Sequence, residues 1–332
     1  MRADYDVLGI GNAIFDILGH ASDAALESQN LVKGSMRLVT AEEAHAVDAL
    51  LTDAVRVSGG SAGNSIAGVA ALGGRGAFIG KVADDDYGRA YRDDMHRLGI
   101  EFCTSFLTGA EPTATSVILV TPDGERTMNT FLGASQRLTP ADIDTALVDA
   151  SAITFLEGYL FDPSDAKAAF RSAAERATAS GRTAALTLSD AFCIERHRAD
   201  FMDWLKSGHI GLLLANVAEA KALFETDDLD AACRALSELV PLTAVTMGAD
   251  GARILTDGAV HDVAAHSANV VDLTGAGDLF AGGFMLGIAR GMGPQDAGRL
   301  GALAAAEVIS HLGARPQADL AAMAAGEALS IA

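Results

Sequence analysis

The segment Asp272–Asp278, which reads DLTGAGD, contains residue types that could handle a phosphate group. Gly275, Ala276 and Gly277 are small enough for the backbone to turn sharply ahead of a long apolar segment typical of a helix. Backbone N–H groups at a helix start bind anions, and the helix dipole adds to the attraction. In the first turn, Asp278 could simply cap the helix. If Asp278 is instead a general base beside an anion hole, this function also accounts for the glycines and for the second acid, Asp272.

A second glycine cluster, GGSAGN, occupies Gly59–Asn64 between a short predicted strand and a predicted helix. It could be an ordinary turn in which Ser61 or Asn64 caps the helix. It could equally bring the backbone close to a polar ligand, with the Asn64 side chain hydrogen-bonded to hydroxyl groups. The residues alone leave these two interpretations open.

Polar residues also follow the first predicted strand, where Gly9, Gly11 and Asn12 precede Asp16. The spacing does not match GxGxxG, because Ile14 stands at the third glycine position, and this argues against a dinucleotide-dependent oxidoreductase. Asp16 lies soon after an apolar strand, where a carboxylate could bind a diol. A GxxxxGK[ST] phosphate loop is absent from the sequence.

Two further motifs follow predicted strands. Asn216 and Glu219, in NVAE, could form a capping box or could hold water molecules around Mg²⁺. Thr246, Gly248 and Gly251, in TMGADG, could line a nucleotide pocket. All of these motifs follow the carboxyl ends of strands, which is the edge where open α/β sheets bind ligands.

Short apolar runs alternate with longer helical periods along the chain, and this alternation predicts an α/β fold with a mainly parallel sheet. The predicted strands are Asp6–Ile10, Ala77–Gly80, Ile153–Leu156, Ala184–Leu188, Gly211–Ala215 and Leu242–Thr246. The predicted helices are Ala41–Leu51, Ala62–Leu72, Tyr87–Leu98, Pro163–Ala179, Leu229–Leu239, Ala276–Arg290 and Pro294–His311.

One region departs from this rhythm, because Thr115–Val120 and Arg126–Phe131 flank a Pro-Asp-Gly turn and predict a β-hairpin. The hairpin could extend the edge of the main sheet. Alternatively, it could join the irregular stretch near the N-terminus in a small β-sheet lid. We predict one domain spanning residues 1–332, with a lid built from about 18–39 and 113–131.

Composition narrows the class of protein further. The formal net charge of the 332 residues is −20, which argues against binding to nucleic acids or anionic membranes and requires any phosphate site to be local. No run of 18 residues is apolar and free of charge, so no membrane span is expected. The acidic start does not resemble a signal peptide, and three scattered cysteines without CxxC predict free thiols in the cytoplasm.

Taken together and in order, these motifs resemble those of the ribokinase-like (PfkB) superfamily of carbohydrate and nucleoside kinases. The matching segments are GGSAGN at Gly59–Asn64, GKVADDDYG at Gly80–Gly88, NVAE at Asn216–Glu219 and DLTGAGD at Asp272–Asp278. Two positions depart from the usual pattern, with Ala83 in place of Gly and Leu273 in place of Thr. The resemblance implies a three-layer α/β fold with a small β lid, acting as a monomer or homodimer on a small-molecule substrate and ATP.

The resemblance also implies a role for each matching residue. Asp278 would be the base, and the N–H groups of Gly275, Ala276 and Gly277 would form the anion hole. The substrate would contact Asn12, Asp16, Gly59, Gly60, Ser61 and Asn64. ATP would contact Asn216, Glu219, Thr246, Gly248, Gly251 and Thr274, with Mg²⁺ held through water by Glu219. Many members also bind K⁺, for which Asp272, Thr274 and His311–Ala314 are the matching positions.

The substrate is expected to be a nucleoside. The segments GNAIFDI, LVKGSMRL and GGSxxNS resemble adenosine kinases more than ribokinases or fructokinases, which favours the 5′-OH of adenosine as the acceptor. A sugar kinase is the alternative, and a non-catalytic binding protein or a NAD-dependent oxidoreductase are rivals from other classes. A nucleoside implies an aromatic side chain against the base, for which Phe15, Tyr159 and Phe161 are candidates.

Overall fold

The computed structural model describes residues 3–256 and 258–329, which form two β-sheets and a set of surrounding helices. The strands are β1 (Tyr5–Ile10), β2 (Ile14–His20), β3 (Met36–Leu38), β4 (Thr52–Gly59), β5 (Gly76–Ile79), β6 (Ala114–Val120), β7 (Arg126–Phe131), β8 (Ser151–Glu157), β9 (Thr183–Thr187), β10 (Ile210–Asn216), β11 (Leu242–Thr246), β12 (Ala252–Thr256) and β13 (Ala259–Val263). The helices are α1 (Asp23–Ser28), α2 (Ala41–Asp48), α3 (Ser61–Ala71), α4 (Asp86–Arg97), α5 (Thr145–Ala150), α6 (Ser164–Ala179), α7 (Ala191–Lys206), α8 (Val217–Phe224), α9 (Leu229–Leu239), α10 (Ala276–Ala289), α11 (Pro294–Val308) and α12 (Leu320–Gly326).

The main sheet has eight strands in the order β13-β12-β11-β10-β9-β8-β1-β5. The six strands from β11 to β5 are parallel, and β12 and β13 add an antiparallel hairpin at one edge. Side chains alternate between two apolar layers, so that Val7 packs with α3 and α10 while Leu8 packs with α6 and α7. Burial on both faces explains why these strands are apolar on consecutive residues, and the three-layer α/β prediction is confirmed.

The second sheet has five strands in the order β3-β7-β6-β2-β4. The predicted hairpin forms β6 and β7, and it pairs with β2 rather than with the main sheet. The interpretation as an edge hairpin of the main sheet is therefore wrong. The second sheet also starts earlier than residue 18, at Ile14, and it includes β4, which the sequence reading did not predict.

The two faces of the second sheet differ in what they contact. Phe15, Ile17 and Val117 point away from the site and pack with buried residues of the body and of α2. The opposite face, called here the inner face, is defined by the strand register and includes Ile14, Asp16, Leu18, Met36, Leu38, Val55, Val57, Ser116, Ile118, Val120, Arg126, Met128 and Thr130. Arg126 of this face reaches Thr274 in the loop before α10, so the inner face overlooks the segment predicted to handle phosphate.

Across residues 3–256 and 258–329, no helix combines the length and apolar character that crossing a membrane requires.

Candidate active site

The carboxylate of Asp278 lies in the first turn of α10 and joins two motifs that are far apart in sequence. Its Oδ1 accepts a hydrogen bond of 2.6 Å from Ser61 Oγ, and its Oδ2 accepts one of 2.9 Å from Asn64 Nδ2. Gly275 precedes the helix with φ of +80°, and a Cβ there would lie 2.8 Å from the Cβ of Ala314. The glycine cluster at 59–64 therefore contacts the glycine-rich start of α10 directly.

The surroundings of Asp278 suit a base. Burial raises the pKa of Asp278 above its ordinary value, and the hydrogen bonds from Ser61 and Asn64, with the nearby Arg315 guanidinium, oppose this shift only in part. A carboxylate with a raised pKa is a stronger proton acceptor once ionised. Asn64 Oδ1 is buried and has no hydrogen-bond partner among the described residues, so it offers an acceptor to a hydroxyl group that approaches Asp278.

Asp16 lies on the inner face, close against the glycine pair. A Cβ at Gly59 would lie 2.1 Å from Asp16 Oδ2, and one at Gly60, where φ is +84°, would lie 2.1 Å from the carbonyl oxygen of Asn12. These approaches explain both glycines without a ligand. Burial raises the pKa of Asp16 to about 7, with Arg315 lowering it and Asp278 raising it further.

We expect Asp16 to make the empty protein less stable as the pH rises. The carboxyl loses its proton near pH 4 in the unfolded chain and near 7 in the folded protein, so the folded state binds more protons between these values. The free energy of unfolding should fall across this range, and Asp16→Asn should recover about 2–4 kcal/mol at pH 8 and almost nothing at pH 4. Denaturant unfolding of both proteins at several pH values measures the difference. Two results would contradict the raised pKa of Asp16. One is a change in the free energy of unfolding that is equal at pH 4 and pH 8 in Asp16→Asn, and the other is the same gain in the exposed control Asp296→Asn.

The side-chain amide of Asn12 is hydrogen-bonded to other protein side chains at both its nitrogen and its oxygen. Its Nδ2 donates to Glu157 Oε1 at 2.7 Å, and its Oδ1 accepts from Gln136 Nε2 at 3.1 Å. Glu157, which the sequence reading missed, is 1% exposed, and burial raises its pKa to about 7. The available signal was a charged residue directly after the predicted strand Ile153–Leu156, at the edge where ligands bind.

Asn216 and Glu219 form a capping box at the start of α8, which is one of the two arrangements that the sequence predicts for them. The Asn216 side chain accepts from the Glu219 N–H at 2.9 Å, and the Glu219 carboxylate accepts from Asn216 N at 3.0 Å and from Nδ2 at 2.6 Å. Burial raises the pKa of Glu219 to about 7. Both carboxylate oxygens of Glu219 already accept hydrogen bonds from N–H groups. Contact with a metal ion through water therefore fits the geometry better than direct ligation. No described group of three or more His, Cys, Asp or Glu residues could hold a metal ion by itself.

Two cavities meet at the start of α10. One has a volume of about 260 Å³ and is lined by polar groups that include Ser61, Asn216, Glu219 and Asp278. The other has a volume of about 650 Å³ and is mainly apolar, with Gly248, Gly251, Val270 and Leu273 in its lining. Thr246, Gly277 and Phe280 line both. A nucleotide fits this pair of cavities, because its base needs an apolar pocket and its phosphates need the helix start.

The loop before α10 is tied to the second sheet through Asp272. Asp272 Oδ1 accepts from Thr274 N at 2.9 Å and Oδ2 from Gly313 N at 2.8 Å, and the buried carboxylate also pairs with Arg126. A carboxylate that faces a guanidinium and two N–H groups is a poor ligand for K⁺. One N–H group of the predicted anion hole is engaged within the protein, because Ala276 N donates a hydrogen bond of 3.3 Å to the carbonyl oxygen of Leu273.

The three candidate aromatics occupy different surroundings. Phe161 is 0% exposed and stacks on Phe201, and Phe15 is 4% exposed and stacks on Tyr87. Both are therefore core residues, and their candidacy as base contacts is wrong. Tyr159 is 37% exposed and lines the polar cavity beside Asp278. It is the one of the three that a ligand in the site can reach.

Comparison with known proteins agrees with this geometry. A model of the pfkB family carbohydrate kinases matches residues 29–320. The chain is 30% identical over 250 residues to an uncharacterized sugar kinase of Archaeoglobus fulgidus, covering 75% of this chain and 96% of that protein. It is 25% identical to adenosine kinase 1 of Arabidopsis thaliana, covering 94% and 96% of the two chains.

Solved structures give the same result. The crystal structure of adenosine kinase from Sinorhizobium meliloti superposes with a TM-score of 0.91 at 46% identity, covering 98% of this chain and all of that one (100%). A probable sugar kinase from Rhizobium etli superposes with a TM-score of 0.92 at 42% identity, covering 99% and 100%.

Fold and site together define an enzyme that transfers phosphate from ATP to a hydroxyl group. The chain belongs to the pfkB family of carbohydrate kinases. This family includes kinases of sugars and of nucleosides, and its members use ATP, usually with Mg²⁺.

Proposed function

We propose that this kinase phosphorylates the primary hydroxyl of a nucleoside, with the 5′-OH of adenosine favoured. The observation that supports this most directly is that the inner face carries both Asp16, which lies close against the glycine pair, and exposed apolar side chains. Met36 and Leu38 on β3 and Val55 on β4 are 54%, 63% and 61% exposed and lie at opposite edges of the second sheet. A flat heterocyclic base could cover the apolar side chains of one edge, whereas a free sugar has no group to place on either.

Asp278 accepts the proton of the attacking hydroxyl in this proposal. Ser61 and Asn64 hold its carboxylate in place, and the unpartnered Asn64 Oδ1 accepts a hydrogen bond from the acceptor molecule. Asp16 accepts hydrogen bonds from a ribose diol. The N–H groups at the start of α10 face the transferred phosphoryl group, whose donor, ATP with Mg²⁺, supplies the leaving group and charge neutralisation.

The second sheet acts as a lid in this proposal, because its inner face carries Asp16 and Arg126 while the nucleotide cavities belong to the main sheet and α10. Closure would exclude water from the phosphoryl group. K⁺ activation also remains a proposal, with the backbone around Thr274 and Gly313 as its site.

A panel of acceptors tests the proposal. ADP release is measured with adenosine, inosine, ribose and fructose under saturating ATP and Mg²⁺, in K⁺ and in Na⁺ buffers. We expect kcat/KM for adenosine to exceed that for ribose by about 100-fold, because a buried base contributes about 2–3 kcal/mol. Preference for a free sugar would favour the sugar kinase alternative, and equal rates in both buffers would remove the K⁺ proposal.

A further inference from the structure

Three connections between the two sheets converge on one buried carboxylate. Residues 11–13 join β1 to β2, Gly60 joins β4 to α3, and a short 3₁₀ helix, Gly133–Arg137, follows β7. Each of these segments lies at the base of the second sheet. Any tilt of that sheet against the main sheet must change the relative positions of these segments.

Glu157, at the end of β8, contacts one of these connections directly and also contacts the first turn of α3, which follows Gly60. Its Oε2 accepts from the N–H of Ala62 at 2.8 Å, and its Oε1 accepts from Asn12 Nδ2 at 2.7 Å and Asn12 N at 3.3 Å. The third connection is reached through Asn12, which accepts from Gln136 Nε2 at 3.1 Å. The result is a continuous hydrogen-bonded chain, Ala62–Glu157–Asn12–Gln136, in the interior of the protein.

The backbone is shaped to admit this carboxylate. A Cβ at Gly11 would lie 2.4 Å from Glu157 Oε2 and 2.6 Å from the Cβ of Ala62. The close approach of Glu157 therefore explains why a glycine occupies position 11. The arrangement also reaches the base, because Ser61, next to Ala62, donates to Asp278.

We propose that Glu157 is a positioning residue that fixes the second sheet and the start of α3 relative to Asp278, and thereby fixes the acceptor site but not the ATP site. This inference rests on the proposed function, since it assigns the acceptor to the cleft between the inner face and Asp278. Gly248 and Gly251 line the apolar cavity proposed for the base of ATP, and none of the four residues Ala62, Glu157, Asn12 and Gln136 is in the lining of that cavity.

Glu157→Gln is the informative change. All the protein partners of this side chain are N–H donors, so the NH₂ of a glutamine must face at least one of them. We expect the KM for the acceptor to rise on the order of 10- to 100-fold, as for other small displacements of binding groups. The KM for ATP should change by less than about 2-fold, because the ATP cavity is not displaced.

Asp6→Asn provides the matched control. Asp6 is also a buried carboxylate that accepts from a backbone N–H, that of Arg75, but it lies at the opposite end of β1 from the site. This variant should lose stability without separating the two KM values. Equal changes in both KM values in Glu157→Gln, or no change in a folded protein, would overturn the inference.

Hydrogen–deuterium exchange gives a readout that does not depend on activity. Glu157→Gln should accelerate exchange in peptides covering residues 11–14, 58–62 and 131–137, and Asp6→Asn should not. Unchanged exchange in those peptides would refute the role of Glu157. A wild-type protein that phosphorylates none of the acceptors would refute the proposed function instead, and the exchange result would still decide the role of Glu157.

Discussion

Asp278→Asn is expected to lower kcat by about 10³- to 10⁴-fold while leaving the fold intact, because it removes general base catalysis. The amide has the shape of the carboxylate, and its oxygen still accepts from Ser61 Oγ. Its NH₂ can donate to Asn64 Oδ1, which lacks a partner in the present structure, once the Asn64 amide turns over. The substitution also removes a partly buried charge whose pKa is raised by desolvation, so the free energy of unfolding should not decrease.

The rate is measured as ADP release at saturating acceptor and ATP, with circular dichroism to confirm folding. Asp296→Asn is the matched control, because Asp296 occupies the first turn of α11, as Asp278 does in α10, but it is exposed and away from the site. The control should retain wild-type kcat. A kcat within tenfold of wild type in Asp278→Asn would remove the base assignment.

Asp16→Asn is expected to reduce kcat/KM for adenosine by about 10²- to 10⁴-fold, because hydrogen bonds to a charged group contribute about 1.5–3 kcal/mol each and a diol makes two. The change should appear mainly in the KM for the acceptor. It contrasts with the gain in stability expected for the same variant in the absence of substrate. The same partly buried carboxylate would thus weaken the empty protein and strengthen the complex.

Modified acceptors separate the diol contact from other effects. A 2′,3′-dideoxy acceptor lacks both hydroxyls, so the wild type and Asp16→Asn should use it with similar kcat/KM. The 2′-deoxy and 3′-deoxy acceptors should give intermediate penalties. A full penalty with the dideoxy acceptor would show that Asp16 acts on the structure of the site rather than on the diol.

The six parallel strands of the main sheet could be predicted from the sequence because their signals are local, whereas the edge hairpin of β12 and β13 was not predicted. Leu242–Thr246 was predicted to the residue, and the strands at Ile153–Leu156 and Ala77–Gly80 differ by two residues or fewer at each end. Continuous apolar runs mark strands that are buried on both faces. The helix beginning at Ala276 was also predicted to within one residue, because glycines and an acid mark its start.

The contacts that make the site could not be predicted in the same way. Ser61 and Asn64 meet Asp278 across more than 200 residues of sequence, and no local pattern records that pairing. The roles of Arg126 and Arg315 could not be predicted for the same reason, whereas Glu157 had a local signal, its place directly after a predicted strand. Arg315 donates to the carbonyls of Ser58 and Gly63, and a single arginine in a loop carries no sequence signal of such contacts.

The second sheet was predicted only where a turn marked it. The Pro-Asp-Gly turn identified β6 and β7, but β4 has the sequence TDAVRVSG, whose partly exposed strand gives a weak apolar pattern. Its pairing with β2 brings together residues more than 30 positions apart. The register of this sheet, and therefore the composition of the inner face, is a property of the fold rather than of any segment.

The glycine pair at 59 and 60 has a consequence for engineering this enzyme. Any side chain at either position would occupy the space of Asp16 Oδ2 or of the Asn12 carbonyl, so random mutagenesis should find both positions intolerant although neither has a side chain to contribute. Met36, Leu38 and Val55, by contrast, are exposed and belong to neither buried cluster of the core. Libraries that aim to change the acceptor range should therefore keep the pair fixed and vary Met36, Leu38 and Val55.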